Sequence, residues 1–112
     1  MSIFSFLFPK GNQSDAIQIL DRDAYKSAIS KAKVQLVDVR TAGEFRSGHI
    51  KGARNVDYFR SSTFGEAFSK MKKDEPVYLY CQSGNRSQKA ARKLVGMGFS
   101  EVYDLRGGYR MW

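Results

Sequence analysis

The chain has 112 residues, of which 42% are hydrophobic, so it can bury the core of one compact domain and is too apolar for long disorder. Its formal net charge of +8 favours anionic partners, but the basic residues are scattered, so nucleic-acid binding is not expected. One cysteine and one histidine exclude an intramolecular disulfide and a zinc site of the linked CxxC type, and we expect no metal.

The first 14 residues are expected to precede the folded domain. The apolar run that begins at Ile3 and ends at Phe8 is far shorter than the about 20 residues of a membrane span. It also lacks the basic start and the cleavage site of a secretory signal. We expect residues 1–14 to be flexible or docked on the surface. Association of this segment with a membrane surface or a partner, or a truncated signal, is the alternative. With the lone thiol, these features favour a reducing, cytoplasmic location.

From residue 15 onward, strand-like and helix-like patterns alternate. The predicted elements in chain order are a strand at 16–20, a helix at 23–32, a strand at 34–39, a helical turn at 41–45, a loop at 48–52, a strand at 53–56, a helix at 63–72, a strand at 77–80, a helix at 87–97 and a strand at 102–105. Asp21 should cap the first long helix and Gly98 should end the last one. The pattern predicts one α/β domain over residues 15–112, with a mainly parallel central sheet flanked by helices on both faces.

The stretch YCQSGNRSQ, residues 80–88, places the only thiol of the chain between a predicted strand and a predicted helix. In parallel sheets, ligands bind beyond the carboxyl ends of the strands, and Cys81 lies at such an end. A thiol attacks as its thiolate, which a helix N-terminus or a nearby cation favours. Gly84 lets the backbone curl, so that several N–H groups of residues 82–86 can form an anion cradle. A buried, inert cysteine is the alternative, and the pattern around it favours a nucleophile.

Several segments, taken together and in order, resemble the single-domain rhodaneses. They are residues 36–40 (LVDVR), 44–45 (EF), 48–53 (GHIKGA), 80–87 (YCQSGNRS) and 105–108 (LRGG), followed by Trp112. The resemblance implies a sulfurtransferase with a rhodanese-like fold over nearly the whole domain. It further implies that the Cys81 thiolate takes the outer sulfur of a small anionic donor such as thiosulfate and carries it as a persulfide. A thiol, including one on a partner protein, or cyanide would then accept the sulfur, and no metal or organic cofactor is needed.

The candidate site residues fall into two groups. The substrate-binding loop comprises Gln82, Ser83, Gly84, Asn85, Arg86 and Ser87, with the side chains of Gln82, Ser83 and Asn85 expected to be exposed. The supporting residues are Asp38, Arg40 and Glu44. Asp38 and Arg40 form either an ordinary strand-end ion pair, which contributes little if exposed, or, as the resemblance implies, a scaffold and positive rim near the pocket. Glu44 either caps a short helix or pairs with Arg86.

Two residues outside these groups carry expectations of their own. His49 is expected to fix its loop through a hydrogen bond rather than to act as a general base. Trp112 is expected to pack in the core.

Two other functions compete with sulfur transfer. Cysteine phosphatases and arsenate reductases have a similar architecture, but their arginine follows the cysteine by six positions, whereas Arg86 follows Cys81 by five. The shorter cradle suits one sulfur atom better than a tetrahedral oxyanion, and Tyr80 stands where tyrosine phosphatases usually carry histidine. A non-catalytic module for binding or sulfur delivery is the second alternative. Inactive rhodanese-like domains commonly lack the cysteine that this chain retains.

Overall fold

The computed structural model describes residues 15–112, which build a five-stranded sheet covered on both faces. The strands are β1 (Ile17–Leu20), β2 (Gln35–Asp38), β3 (Arg54–Asn55), β4 (Val77–Tyr80) and β5 (Val102–Leu105). The helices are α1 (Arg22–Lys31), α2 (Ala42–Arg46), α3 (Ser61–Ser69) and α4 (Asn85–Gly96), and a 3-10 turn follows at Tyr109–Met111. The strand order is β1-β5-β4-β2-β3, and each neighbouring pair is parallel. The predicted α/β class with a parallel sheet is therefore confirmed.

Two separate hydrophobic clusters cover the two faces of the sheet. On one face, Val77 and Leu79 of β4 pack with α3 and α4. On the other face, Tyr80 packs with Tyr25 of α1 and with Trp112. Successive strand residues point to opposite faces, so an apolar run such as 77–80 can serve both clusters. The expectation that Trp112 is a packing residue is confirmed, since its ring contacts that of Tyr25 at 6.2 Å between centroids.

The beginning of α4 differs from the sequence-based prediction. The helix begins at Asn85, two residues before the predicted start at residue 87, and Gly84 occupies the N-cap position with a φ of +112°. A glycine without a capping side chain is a weak sequence signal for a helix start, which explains the error. As a consequence, Arg86 lies in the first turn of the helix rather than in a loop before it.

The end of α4 follows the prediction closely. Gly98 has a φ of +107°, and its N–H donates to the carbonyl of Val95 while the N–H of Phe99 donates to that of Leu94. This pair of bonds is the Schellman arrangement, for which glycine is favoured because it adopts positive φ without steric cost. At α1, Asp21 holds the predicted N-cap position, but its side chain makes no capping hydrogen bond.

The remaining boundaries shift by a few residues. The helix predicted at 63–72 spans 61–69, and its predicted apolar face is confirmed at Phe64 and Phe68, which are fully buried. Residues 1–14, for which the sequence predicts a flexible or surface-docked segment, lie outside the described residues. No helix between residues 15 and 112 combines the length and the apolar character needed to cross a membrane.

Candidate active site at the carboxyl end of β4

Cys81 follows β4, the central strand of the sheet, and its side chain is nearly fully buried at 1% exposure. Its Sγ atom accepts a hydrogen bond of 3.0 Å from the N–H of Gly84. The helix α4 begins at the next residue, so the partial positive charge of a helix N-terminus lies beside the sulfur. Gly84 has a positive φ, a conformation that favours glycine. A hydrogen-bond donor and a helix N-terminus beside a sulfur are the surroundings in which proteins place reactive cysteines.

The side chains of the predicted loop differ in exposure. Ser83 and Asn85 are exposed, as predicted. The prediction for Gln82 is wrong, because Gln82 is half-buried and its Oε1 accepts a 3.0 Å hydrogen bond from Nη1 of Arg40. Ser87 is buried, and its hydroxyl donates to the carbonyl of Gly84 at 3.2 Å. Two of the loop side chains therefore hold the loop in place, while two face solvent.

Glu44 holds Arg86 in a bidentate ion pair. The Nη1 and Nη2 atoms of Arg86 donate to the two carboxylate oxygens of Glu44 at 2.7 and 2.9 Å. Glu44 also completes a capping box with Thr41 at the start of α2. The two alternatives that the sequence left for Glu44 are thus both realised. The hydrogen bonds from Arg86, and to a lesser degree those from Thr41, lower the pKa of Glu44 to about 2.

The same ion pair fixes the charge of Arg86 beside the thiol. The hydrogen bond to Glu44 is the main cause that raises the pKa of Arg86, burial opposes it, and the charges of Cys81 and Asp57 raise it further. The guanidinium carbon also lies 5.5 Å from the ring centroid of Phe59. Arg86 is therefore a braced cation within electrostatic range of Cys81.

Asp38 and Arg40 form a buried ion pair rather than an exposed one. Both residues are nearly inaccessible, at 0% and 3% exposure. Nε of Arg40 donates to both carboxylate oxygens at 3.1 Å, and Nη2 donates to Oδ2 at 2.7 Å and to the carbonyl of Gly48 at 2.6 Å. Arg40 lies near the pocket and in a scaffold position, as the resemblance implies, but it forms no exposed positive rim because its donors are directed into the protein. Burial opposes the charge of Arg40, but the bonds to Asp38 outweigh it and raise the pKa.

Arg40 links the end of β2 to two loops. It bonds to Asp38 at the end of β2, to Gly48 in the following loop and to Gln82 beside the thiol, and its guanidinium carbon lies 4.5 Å from the ring centroid of Tyr109. His49 in the same region fixes its own loop as expected, since Nδ1 lies 2.8 Å from the carbonyl oxygen of Phe45 and the two rings stack.

The chain after β5 supports the backbone of the cysteine loop, a role that the sequence analysis missed. The N–H of Tyr109 donates to the carbonyl of Cys81 at 2.8 Å, and the N–H of Arg110 donates to that of Gln82 at 3.1 Å. Gly108 makes this approach possible, because a β-carbon there would lie 2.5 Å from the Gln82 carbonyl. The paired glycines at 107 and 108 were visible in the sequence, but their contact with residue 82 was not.

A buried carboxylate under α4 is the second feature that the sequence analysis missed. Asp104 of β5 is 1% exposed, and neither of its carboxylate oxygens has a hydrogen-bond partner among the described residues. Burial raises the pKa of Asp104 to about 6. Asp104 lies in register with Leu79 of β4, so a titratable group sits within the apolar layer behind the cysteine loop.

A cavity of about 440 Å³ opens beside the loop. Its lining comprises Arg40, Glu44, Ser47, Gly48, Gln82 and Tyr109. This volume falls within the range of small-molecule sites. The cavity therefore offers room for a small molecule beside Gln82, and Cys81 is not among its lining residues.

The fold and the site together define an α/β domain whose single cysteine lies between a parallel strand and a helix N-terminus. The family model of the rhodanese-like domain matches residues 21–112. The chain therefore belongs to the rhodanese-like domain family.

Relatives and solved structures agree with this assignment. The thiosulfate sulfurtransferase GlpE of Pseudomonas putida is 43% identical over 77 residues, which cover 69% of this chain and 67% of the relative. The uncharacterized protein YqhL of Bacillus subtilis is 39% identical over 100 residues, covering 89% of this chain and 75% of the relative. The crystal structure of a rhodanese-like domain protein from Staphylococcus aureus superposes with a TM-score of 0.74 at 29% identity, covering 85% of this chain and 90% of the other.

Proposed function

We propose that this protein transfers a sulfane sulfur from an anionic donor such as thiosulfate to a thiol or cyanide, through a persulfide on Cys81. The hydrogen bond from the Gly84 N–H to Sγ, at the N-terminus of α4, is the observation that carries the proposal. A cradle that stabilises a thiolate also stabilises the anionic outer sulfur of a persulfide, since both accept charge-assisted hydrogen bonds.

The class of enzyme rests on the relatives. Curated relatives named thiosulfate sulfurtransferase share 39% to 43% identity with this chain over 77 to 88 residues. The chain is a transferase of this rhodanese type. The carrier residue, the donor and the acceptor belong to the proposal.

The proposed reaction has two half-reactions. In the first, the Cys81 thiolate attacks the outer sulfur of thiosulfate. A sulfur–sulfur bond forms to Cys81, the one within thiosulfate breaks, and sulfite leaves with the electron pair. In the second, the acceptor attacks the outer sulfur of the persulfide and the Cys81 thiolate leaves. With cyanide the product is thiocyanate. Covalent catalysis in two half-reactions predicts ping-pong kinetics.

The residues of the cysteine loop have different roles in this reaction. The N–H groups of residues 82–86 form the proposed cradle, with Gly84 contributing the one bond to Sγ already present. Ser83 and Asn85, which are exposed, face the substrate, and Gln82 and Ser87 hold the loop through Arg40 and Gly84. Arg86 supplies positive charge, braced by Glu44. Asp38 and Arg40 act as scaffold.

The mass of the intact protein tests the proposal. Reduced protein incubated with thiosulfate should gain one sulfur, about 32 Da, which dithiothreitol or cyanide should remove. The Cys81→Ala variant should gain nothing. A gain that persists in Cys81→Ala would place the sulfur elsewhere, and no gain with thiosulfate or with glutathione persulfide would contradict the carrier role.

The alternative functions predict different results. A module for binding or delivery without turnover would release at most one equivalent of thiocyanate per protein when thiosulfate and cyanide are supplied, whereas the enzyme would release many. A phosphatase-like or arsenate reductase-like site would hydrolyse a phosphate ester or reduce arsenate. The short spacing between Cys81 and Arg86, and the engagement of both Arg86 terminal nitrogens by Glu44, favour sulfur transfer over these reactions. A cytoplasmic location stays a prediction.

A further inference from the structure

Exposed apolar side chains flank both ends of the cysteine loop. Phe59 is 64% exposed and lies 5.5 Å from the guanidinium carbon of Arg86, at the end where the loop enters α4. Met111 is 60% exposed and follows Arg110, whose N–H bonds to the carbonyl of Gln82 at the other end of the loop. Aromatic side chains, methionine and arginine are enriched in protein–protein interfaces.

An exposed basic residue adjoins each of these apolar side chains in the chain. Arg110 is exposed and has no acidic partner within 4.0 Å among residues 15–112. Arg60, next to Phe59, is 76% exposed and only loosely paired with Asp57 at 3.8 Å. An exposed pair at this distance neutralises little of the field around it. Together, Phe59, Arg60, Arg110 and Met111 form what we call the mouth face.

The thiol itself limits which acceptors can reach it. Cys81 is 1% exposed, so an acceptor thiol must enter the protein beside the cysteine loop to reach it. Small acceptors such as cyanide need no contact with the mouth face. A thiol on a projecting protein segment would contact it on both sides, and apolar area with complementary charge is what such contacts use.

We infer that the mouth face docks a partner protein that presents its acceptor cysteine on a projecting, acidic segment. Acidic residues that flank the cysteine pair with Arg60 and Arg110, while apolar residues of the segment contact Phe59 and Met111. This inference rests on the proposed sulfur transfer and names the class of acceptor. A second copy of this chain is a poor occupant because each copy carries a formal net charge of +8.

Two cysteine peptides of equal length test the inference. One carries glutamates three residues on either side of the cysteine, and the other carries lysines at the same positions. Protein that has taken up sulfur from thiosulfate is mixed with each peptide. The gain in the mass of the peptide then measures the rate of sulfur transfer. Each rate is divided by the rate of the same protein with cyanide, so that changes in the chemistry at Cys81 cancel.

The matched variants are Arg110→Gln with Met111→Gln on the mouth face, and Lys31→Gln with Ile19→Gln away from it. The first pair should lower the normalised rate with the acidic peptide about fivefold or more at low salt, as expected for about 1 kcal/mol of lost contact. The control pair should leave it unchanged. The lysine peptide should accept sulfur slowly from each protein. Added salt should reduce the difference in transfer rate between the acidic and the lysine peptide.

A direct binding measurement separates this inference from the proposed function. A labelled acidic peptide with serine in place of cysteine should bind the wild-type protein, by fluorescence anisotropy, more tightly than the mouth-face variant. Equal binding to both proteins, or equal transfer to both peptides, would overturn the inference even if cyanide accepts sulfur. Failure to form any persulfide would contradict the proposed function, while the anisotropy result would still decide the docking. In a further arm, the wild type binds anionic lipid vesicles while the mouth-face variant does not, and both bind the peptide equally. That result would overturn the inference and assign the mouth face to a membrane surface.

Discussion

Gly108 lies in direct backbone contact with Gln82. A β-carbon at Gly108 would lie 2.5 Å from both the carbonyl carbon and the carbonyl oxygen of Gln82, and 2.7 Å from the Cys81 carbonyl oxygen. Its φ of +69° is also one that residues with side chains rarely adopt. These obstacles are backbone atoms and cannot rotate away. The turn after β5 therefore helps to set the position of the cysteine loop.

Replacing Gly108 by alanine should displace the loop and reduce both stability and activity. Because the backbone must move, we expect a loss of about 2 to 4 kcal/mol in the free energy of unfolding, and a larger proportional loss of sulfur transfer than of folded protein. Urea denaturation and the thiocyanate assay measure the two effects. Gly65→Ala is the control, since a β-carbon there meets nothing within 4 Å and alanine favours the helix. Wild-type activity in Gly108→Ala would show that the contact does not position the loop.

Replacing Arg86 by alanine should raise the apparent Michaelis constant for thiosulfate. The variant removes a cation beside the thiol and leaves the Glu44 carboxylate without its partner, so the site becomes less favourable for an anion. We expect about a tenfold increase, consistent with a loss of about 1 to 2 kcal/mol for a charged interaction. Arg86→Lys keeps the charge without the bidentate geometry, so its apparent Michaelis constant should lie between those of the wild type and Arg86→Ala. Unchanged steady-state kinetics in Arg86→Ala would remove Arg86 from a substrate role.

Glu44→Gln should destabilise the protein at neutral pH. The pKa of Glu44 is lowered to about 2 from 4.5, so its ionised form contributes stability that is present above pH 4.5 and is lost as the pH falls through about 2. Since Glu44 is partly exposed, we expect about 1 to 2 kcal/mol rather than the full value of the shift. Urea denaturation at pH 7 measures the loss, and Glu66→Gln, an exposed change on α3, is the control. If Glu44→Gln and Glu66→Gln lose equal free energy of unfolding, the ion pair between Glu44 and Arg86 does not stabilise the protein.

Asp104→Asn should stabilise the protein at neutral pH. The pKa of Asp104 is raised to about 6 from 3.8, so the neutral acid contributes stability that is fully present below pH 3.8 and is lost as the pH rises through about 6. The asparagine variant keeps the shape without the buried charge. It should therefore be more stable than the wild type by about 1 to 3 kcal/mol at pH 7.5, and the difference should shrink toward pH 4. Denaturation curves at several pH values measure this difference.

The control for Asp104 is Asp74→Asn, because Asp74 is exposed. A pH dependence that is identical in Asp104→Asn and the wild type would show that Asp104 does not titrate in this range. A lower stability of Asp104→Asn at pH 7.5 would show that the ionised carboxylate has a favourable partner.

The amino-acid sequence by itself determined the order of strands and helices, the parallel α/β class and the loop that carries Cys81. These features depend on local patterns, such as the apolar run at 77–80 and the glycine at position 98, whose effects act within a few residues. The spacing of five positions between Cys81 and Arg86 is likewise local, and it distinguishes this loop from the longer loop of a cysteine phosphatase without reference to any distant residue.

Only the tertiary structure decided which side chains are buried around that loop. Arg40 and Gln82 are 42 residues apart in the chain, yet a hydrogen bond joins them. This bond helps to hold Arg40 in the interior as a scaffold, where it cannot form the predicted positive rim. The contact of Gly108 with Gln82 and the burial of Asp104 under α4 likewise require elements that are distant in sequence to pack together. Burial and partner choice depend on such long-range contacts, because the same polar residue is favoured in solvent and costly inside unless a specific neighbour meets it.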